Sequence, residues 1–159
     1  MKKPISLLIT AATILIFTGC SALTGEEVGR LPINQVSTDD DNLIMKEISL
    51  DLKKDEQIAI WSDMDIKFEG DVALIFRVEV LKNGEILNGF EIDPTDKNIT
   101  IGEVKTSVMG KTDWRFSGKN GDYKIEEDGN YTFKGILVAS ENPTLQVNKA
   151  EFVLKKFHL

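Results

Sequence analysis

The stretch VALIFRVEVLKNGEILNGFEI, residues 72–92, sets the fold class. Val72, Leu74, Phe76, Val78 and Val80 recur at every second position, the period of a strand whose successive side chains point to opposite faces. Ala73, Ile75 and Leu81 make the alternate face mostly apolar too, which predicts a central strand. Asn83-Gly84 then supplies two residues that tolerate the positive φ of a tight hairpin turn. The chain therefore reverses into a return strand over 85–92, which stops at Asp93-Pro94.

The same period extends both ways from this hairpin. Upstream, Ile44, Ile48, Leu50 and Leu52 share one parity, while Glu47, Ser49, Asp51 and Lys53 take the other. Ile58, Ile60, Met64, Ile66 and Phe68 continue it. Downstream, strands are predicted over 98–109, 112–117, 122–127, 130–139 and 144–156. Gly110, Gly118 to Gly121, Asp128-Gly129 and Asn142-Pro143 separate them. Two of these runs change parity midway. Ile99 and Ile101 give way to Val104 and Val108, and Leu145 and Val147 give way to Ala150, Phe152 and Leu154. A one-residue slip exchanges the buried face, so a β-bulge is predicted near Gly102-Glu103 and another near Asn148-Lys149. Eight or nine short strands with no helix-length period predict an all-β fold, an antiparallel β-sandwich of jelly-roll-like or immunoglobulin-like topology. A partly open barrel is the alternative.

A chain of 159 residues suits one domain plus a tail, and 42% apolar with 28% charged residues suits a globular one. The formal charge is −7, from 19 basic and 26 acidic residues. That sign repels phosphate backbones and argues against nucleic-acid binding. A single cysteine forms no internal disulfide, and a single histidine, His158, offers no pair for zinc, so no metal and no cofactor is expected.

Residues 1–20 carry a different pattern. Lys2 and Lys3 open the chain, an apolar run from Ile5 to Phe17 follows, and Thr18-Gly19-Cys20 closes it. A positive start, a short apolar segment and small residues at the end describe a secretory signal. About 13 apolar residues are too few to span a bilayer at ~1.5 Å per residue. Phe17-Thr18-Gly19-Cys20 resembles the lipobox of bacterial lipoproteins, with Phe17 standing where Leu, Val or Ile is usual. The resemblance implies that the Cys20 thiol receives a diacylglycerol, that cleavage occurs just before it, and that the new amine is acylated. Loss of residues 1–19 removes two of the basic residues and none of the acidic ones, which shifts the charge to −9. By the same resemblance, Ser21 is compatible with outer-membrane delivery. Glu26 and Glu27 lie too far on to match the acidic surface-export signal of some Bacteroidetes lipoproteins, so the periplasmic face is expected. The stretch from Gly129 to Lys156 is similar in style to the closing strands of uncharacterised Bacteroidetes lipoproteins, which implies no activity.

Residues 20–43 are expected to be a lipidated N-terminus and flexible linker, because Gly25, Gly29, Pro32, Ser37 and Thr38 interrupt any period. As a coil it would span roughly 25 Å. The β-sandwich domain is expected over 44–159. Asp39-Asp40-Asp41-Asn42 resembles part of a calcium loop but lacks its glycine and distal glutamate, and reads as a solvated acidic turn.

No nucleophile motif, metalloprotease motif or phosphate-binding loop is present, and the expectation is a protein that is not an enzyme. Four residues are candidates for ligand binding. Trp61, Asp63 and Asp65 share a parity, and an aromatic platform beside carboxylates is what a sugar surface uses. Trp114, in Thr112-Asp113-Trp114-Arg115-Phe116, is the fourth; both tryptophans also read as core. The expected function is that of a membrane-anchored envelope lipoprotein with a non-enzymatic domain that binds another envelope protein, as assembly component, inhibitor or immunity factor. An acidic surface favours a basic partner. The alternative is an envelope-tethered carbohydrate-binding module, which needs an exposed tryptophan.

Overall fold

The computed structural model describes residues 24–38 and 42–157. Cys20 with the expected signal segment, Asp39 to Asp41, and His158 lie outside the described residues.

Among the described residues nine strands form two antiparallel sheets that pack face to face. They are β1 (Glu26–Pro32), β2 (Lys46–Leu52), β3 (Gln57–Glu69), β4 (Leu74–Lys82), β5 (Glu85–Ile92), β6 (Ile99–Val108), β7 (Lys111–Lys124), β8 (Gly129–Ala139) and β9 (Gln146–Lys156). The five-stranded sheet runs β1-β9-β3-β7-β6 and the four-stranded sheet β2-β8-β4-β5. With β6 left out, this is the strand order of an eight-stranded jelly roll. β6 is an addition at the rim.

The 72–92 stretch folds as read. β4 pairs with β8 on one side and β5 on the other, and Leu74, Phe76, Val78 and Val80 are buried. Asn83 and Gly84 take φ of 50° and 86°, so the turn uses the left-handed region at both positions. Both expected bulges are present. The β3–β9 register steps from Asp65↔Lys149 to Ile66↔Val147, which leaves Asn148 unpaired. The β6–β7 register steps from Ile101↔Ser117 to Glu103↔Phe116 around Gly102, at φ 65°.

The core lies between the sheets. Phe152 is at its centre, with no exposed surface. Its ring meets Phe76 edge-on at 6.1 Å and Phe90 at 6.4 Å. Ile58, Met64, Ile66, Leu137 and Leu154 fill the space around it.

Two expectations need correction. The stretch 20–43 is not wholly linker, because Glu26–Pro32 forms β1 along β9, and Leu31 and Ile33 are buried in the core. Its breaker residues concealed the strand. Gly29 packs closely on the facing sheet, since a Cβ there would lie 2.9 Å from the terminal methyl of Ile48, which would have to shift. Pro32 ends an edge strand, where the missing N–H is tolerated. A bulge at Val28 breaks the alternation.

The second correction is the break expected at Gly118 to Gly121. β7 runs through it with a single bulge at Asn120. The Asn120 side chain ties the strand to the loop before β6. Its Nδ2 donates to the carbonyls of Asp93 at 3.2 Å, Pro94 at 3.3 Å and Asp96 at 2.7 Å, while its Oδ1 accepts from the buried Ser62 hydroxyl at 2.7 Å. Glycines in a strand thus marked a bulge and a close approach rather than an end.

Candidate interaction surface

The structure places Trp61, Asp63 and Asp65 together on the outer face of the five-stranded sheet, as their shared parity predicts. It does not make them a sugar platform. Trp61 is 1% exposed, enclosed by Ala59, Val153 and Phe157, with the Lys155 ammonium 4.2 Å above its ring. Burial pushes the Lys155 pKa down. Asp63 accepts from Arg30 at 3.2 Å and from Lys149 at 2.7 Å, and the Arg30 guanidinium also grips Glu27 and Glu151. Asp65 accepts from Asn148 at 3.1 Å and faces Arg115. Both carboxylates serve a lattice of ion pairs across β1, β9, β3 and β7. Trp114 is not part of this group. It pairs with Ile66 and Lys105 across the ladders and so lies on the opposite face of the same sheet.

Trp114 instead supports β6. The Lys97 side chain, only 7% exposed, runs along β7 with its ammonium 3.9 Å from the Phe116 ring centre and 4.8 Å from that of Trp114. Gly118 makes this possible, because a Cβ there would lie 2.4 Å from Lys97 Cδ. Glu103 Oε1 receives two donors, Lys97 Nζ at 2.9 Å and Trp114 Nε1 at 2.7 Å. The Lys105 ammonium also lies against the indole, 3.8 Å from its ring centre. Cations over aromatic faces with a carboxylate between them close the open rim of the sandwich without an apolar plug.

The Glu103 carboxyl is held below the usual glutamate range, first by the Lys97 hydrogen bond and then by that from Trp114. A folded-state pKa below the unfolded one stabilises the fold fully above the unfolded value of about 4.3, and this contribution fades as pH falls through the lowered value. In a Trp61→Phe variant, Trp114 emission should therefore stay constant down to about pH 4.3 and shift below it. Adding Glu103→Gln should remove that step. A step near neutral pH would contradict the assignment.

Supported in this way, β6 projects past the rim with all ten residues exposed. Its outer face is apolar. The Gly102 bulge brings Ile99 and Ile101 onto the same side as Val104 and Val108, and these four are 45 to 62% exposed. Met109, at the hairpin tip, is 96% exposed. Among the nine strands no other lacks a single buried or half-buried residue. Burial in the core therefore does not explain why β6 is apolar. A surface cleft of about 460 Å³ opens beside it between Thr106, Val108, Phe68 and Pro143. The sequence had shown this run as one more strand with a parity change. It gave no sign that nothing would cover it.

Among the described residues no three or more His, Cys, Asp or Glu side chains are grouped to hold a metal ion, and no helix is long and apolar enough to cross a membrane. No family model, no curated protein and no solved structure matches this chain.

Proposed function

We propose that this chain is a lipid-anchored cell-envelope protein whose β-sandwich is a non-enzymatic docking module, held by Cys20 to the outer membrane on its periplasmic side. The observation that carries the docking part is β6. A long strand with an unpaired edge invites another chain, and natural sheets usually blunt such edges with charge, proline or cover. β6 keeps one charged pair, Glu103 and Lys105, and a bulge at Gly102, but its outer face is apolar, and strand-addition partners use such a face beside an open edge: main-chain hydrogen bonds give affinity and alternate side chains give specificity. The carbohydrate reading draws no support from Trp61, because a buried ring offers no face for stacking.

The anchor rests on the lipobox resemblance at Phe17 to Cys20. With β1 starting at Glu26, only residues 21–25 separate the lipidated position from the fold. Five residues reach at most about 18 Å, so the sandwich stays near the headgroups rather than ranging freely.

A photo-crosslinking amino acid at Ile101 of the full-length protein, in intact cells, tests the docking reading. One discrete adduct is expected from position 101 and none from the exposed loop position Lys54. No adduct from 101, or the same ladder from both positions, would refute it.

A further inference from the structure

We infer that the chain received by β6 is β6 of a second copy, so that two sandwiches join edge to edge through an antiparallel β6–β6 pair about a two-fold axis at Val104. This rests on the reading of β6 as a docking edge and names its occupant.

The argument begins with the free backbone groups. A two-residue turn at Met109-Gly110, with φ of 50° and 81°, closes on Val108 and Lys111. The closing pair of such a hairpin exchanges both hydrogen bonds, and the pattern then alternates along the ladder. Val104 and Thr106 therefore direct their N–H and C=O toward β7. Glu103, Lys105 and Ser107 direct theirs to the free edge. A two-fold at Val104 sets Glu103 of each copy against Lys105 of the other, so that groups already pointing outward meet.

The side chains agree with the same register. With Gly102 taken up in the bulge, Ile101 meets Thr106 of the second copy, Thr100 meets Ser107 and Ile99 meets Val108. Ile99, Ile101, Val104 and Val108 line one face with Thr106 among them, Thr100 and Ser107 face each other on the other, and the single acid faces the single base. An isologous interface requires this kind of self-match.

The other edge strands lack it. β2 centred on Ser49 would oppose Glu47 with Asp51, and β5 centred on Asn88, with Leu87 taken up in its bulge, would set Glu85 against the apolar Phe90. Like charges directly opposite are destabilising. β1 ends in Pro32 and has Gly29 packed on Ile48 of β2.

Two further features favour the pair. The chain is acidic as a whole, yet the β6 edge is not, since Glu103 and Lys105 cancel. On the outer face of the neighbouring β7, Lys111, Arg115 and Lys119 outnumber Asp113. Repulsion between the acidic remainders is screened beyond about 8 Å at physiological salt. The two-fold also stands normal to the joined sheet. Both Glu26 ends then lie in one plane, and a membrane parallel to the sheet is within reach of both short leashes.

The test is a disulfide scan in membranes holding the full-length protein, with mild oxidant. In the inferred pair Val104 faces its own copy as a non-hydrogen-bonded neighbour, about 4.5 Å between Cα atoms, inside disulfide range. The two Thr106 positions stand four residues apart along the strands, about 13 Å, outside it. Val104→Cys should give a reducible dimer as the major species. Thr106→Cys alone and the wild-type chain, which carries Cys20, should give none. Ile101→Cys mixed with Thr106→Cys should restore the dimer. All three substitutions fall on exposed positions, so folding is not at stake.

Dimers at Val104 and Thr106 alike would mean a parallel or unspecific encounter and would overturn the proposal. No disulfide at Val104, while Ile101 still photo-crosslinks to a different polypeptide, would overturn self-pairing and leave the docking reading standing. Neither product would remove both.

Discussion

Phe152→Ala should lower the unfolding free energy by about 3–5 kcal/mol, the range for removing a fully buried aromatic side chain. The residue sits on β9, the second strand of its sheet, and faces the opposite layer. Its ring holds Phe76 of β4 and Phe90 of β5. Truncation leaves a void whose walls belong to strands from both sheets. The sheets close on it only by moving together, and their ladders resist that movement. A domain of this size has about 5–15 kcal/mol in total, so the variant should stand near the limit of folding. Urea unfolding followed by circular dichroism measures the loss through the midpoint at unchanged slope. Ile101→Ala on β6 is the matching comparison and should cost under about 0.5 kcal/mol, as at exposed sites generally. Equal losses at the two positions would contradict the division between core and rim.

Cys20→Ala should abolish palmitate incorporation and move the chain from the membrane fraction to the soluble one. Each buried methylene contributes ~0.8 kcal/mol, so a single acyl chain holds a protein marginally and two hold it firmly. No other cysteine exists to take over the thioether. The folded part should be indifferent, because the described structure places its first strand at Glu26. Unchanged urea midpoints for the wild-type and variant chains would separate the anchor from the fold. Continued labelling of the variant would refute lipidation at Cys20.

The residues differ in how much of their role the sequence exposed. Val72 to Ile92 declared a central strand, a turn and a return strand through alternation and Asn83-Gly84, both local signals. The bulges at Gly102 and Asn148 were legible for the same reason, since a change of parity is written in the order of residues. β1 was not, because its support comes from a partner more than a hundred residues away. Glu26 pairs with Lys156, and Gly29 packs against a methyl group of Ile48. Asn120 likewise reads as a turn residue until the carbonyls of Asp93, Pro94 and Asp96 are brought to it.

The candidate site divides along the same line. Parity correctly put Trp61, Asp63 and Asp65 on one face, but parity does not say whether a face is covered or neutralised. Arg30, Lys149 and Lys155 come from other strands, and they turn a possible ligand surface into an ion-pair lattice over a buried ring. Ile99, Ile101, Val104 and Val108 look like core residues by type, and only the absence of a covering strand makes them surface.

By itself, then, the amino-acid order determined what depends on neighbours a few residues apart: strand period, the hairpin turn, bulges and the all-β class. Tertiary structure decided what depends on distant segments meeting: the jelly-roll order, the recruitment of β1, the burial of Trp61 and the exposure of β6. The physical reason is that burial belongs to the completed packing of two sheets. A side chain's polarity states a preference for it, and the topology of nine strands determines which residues receive it.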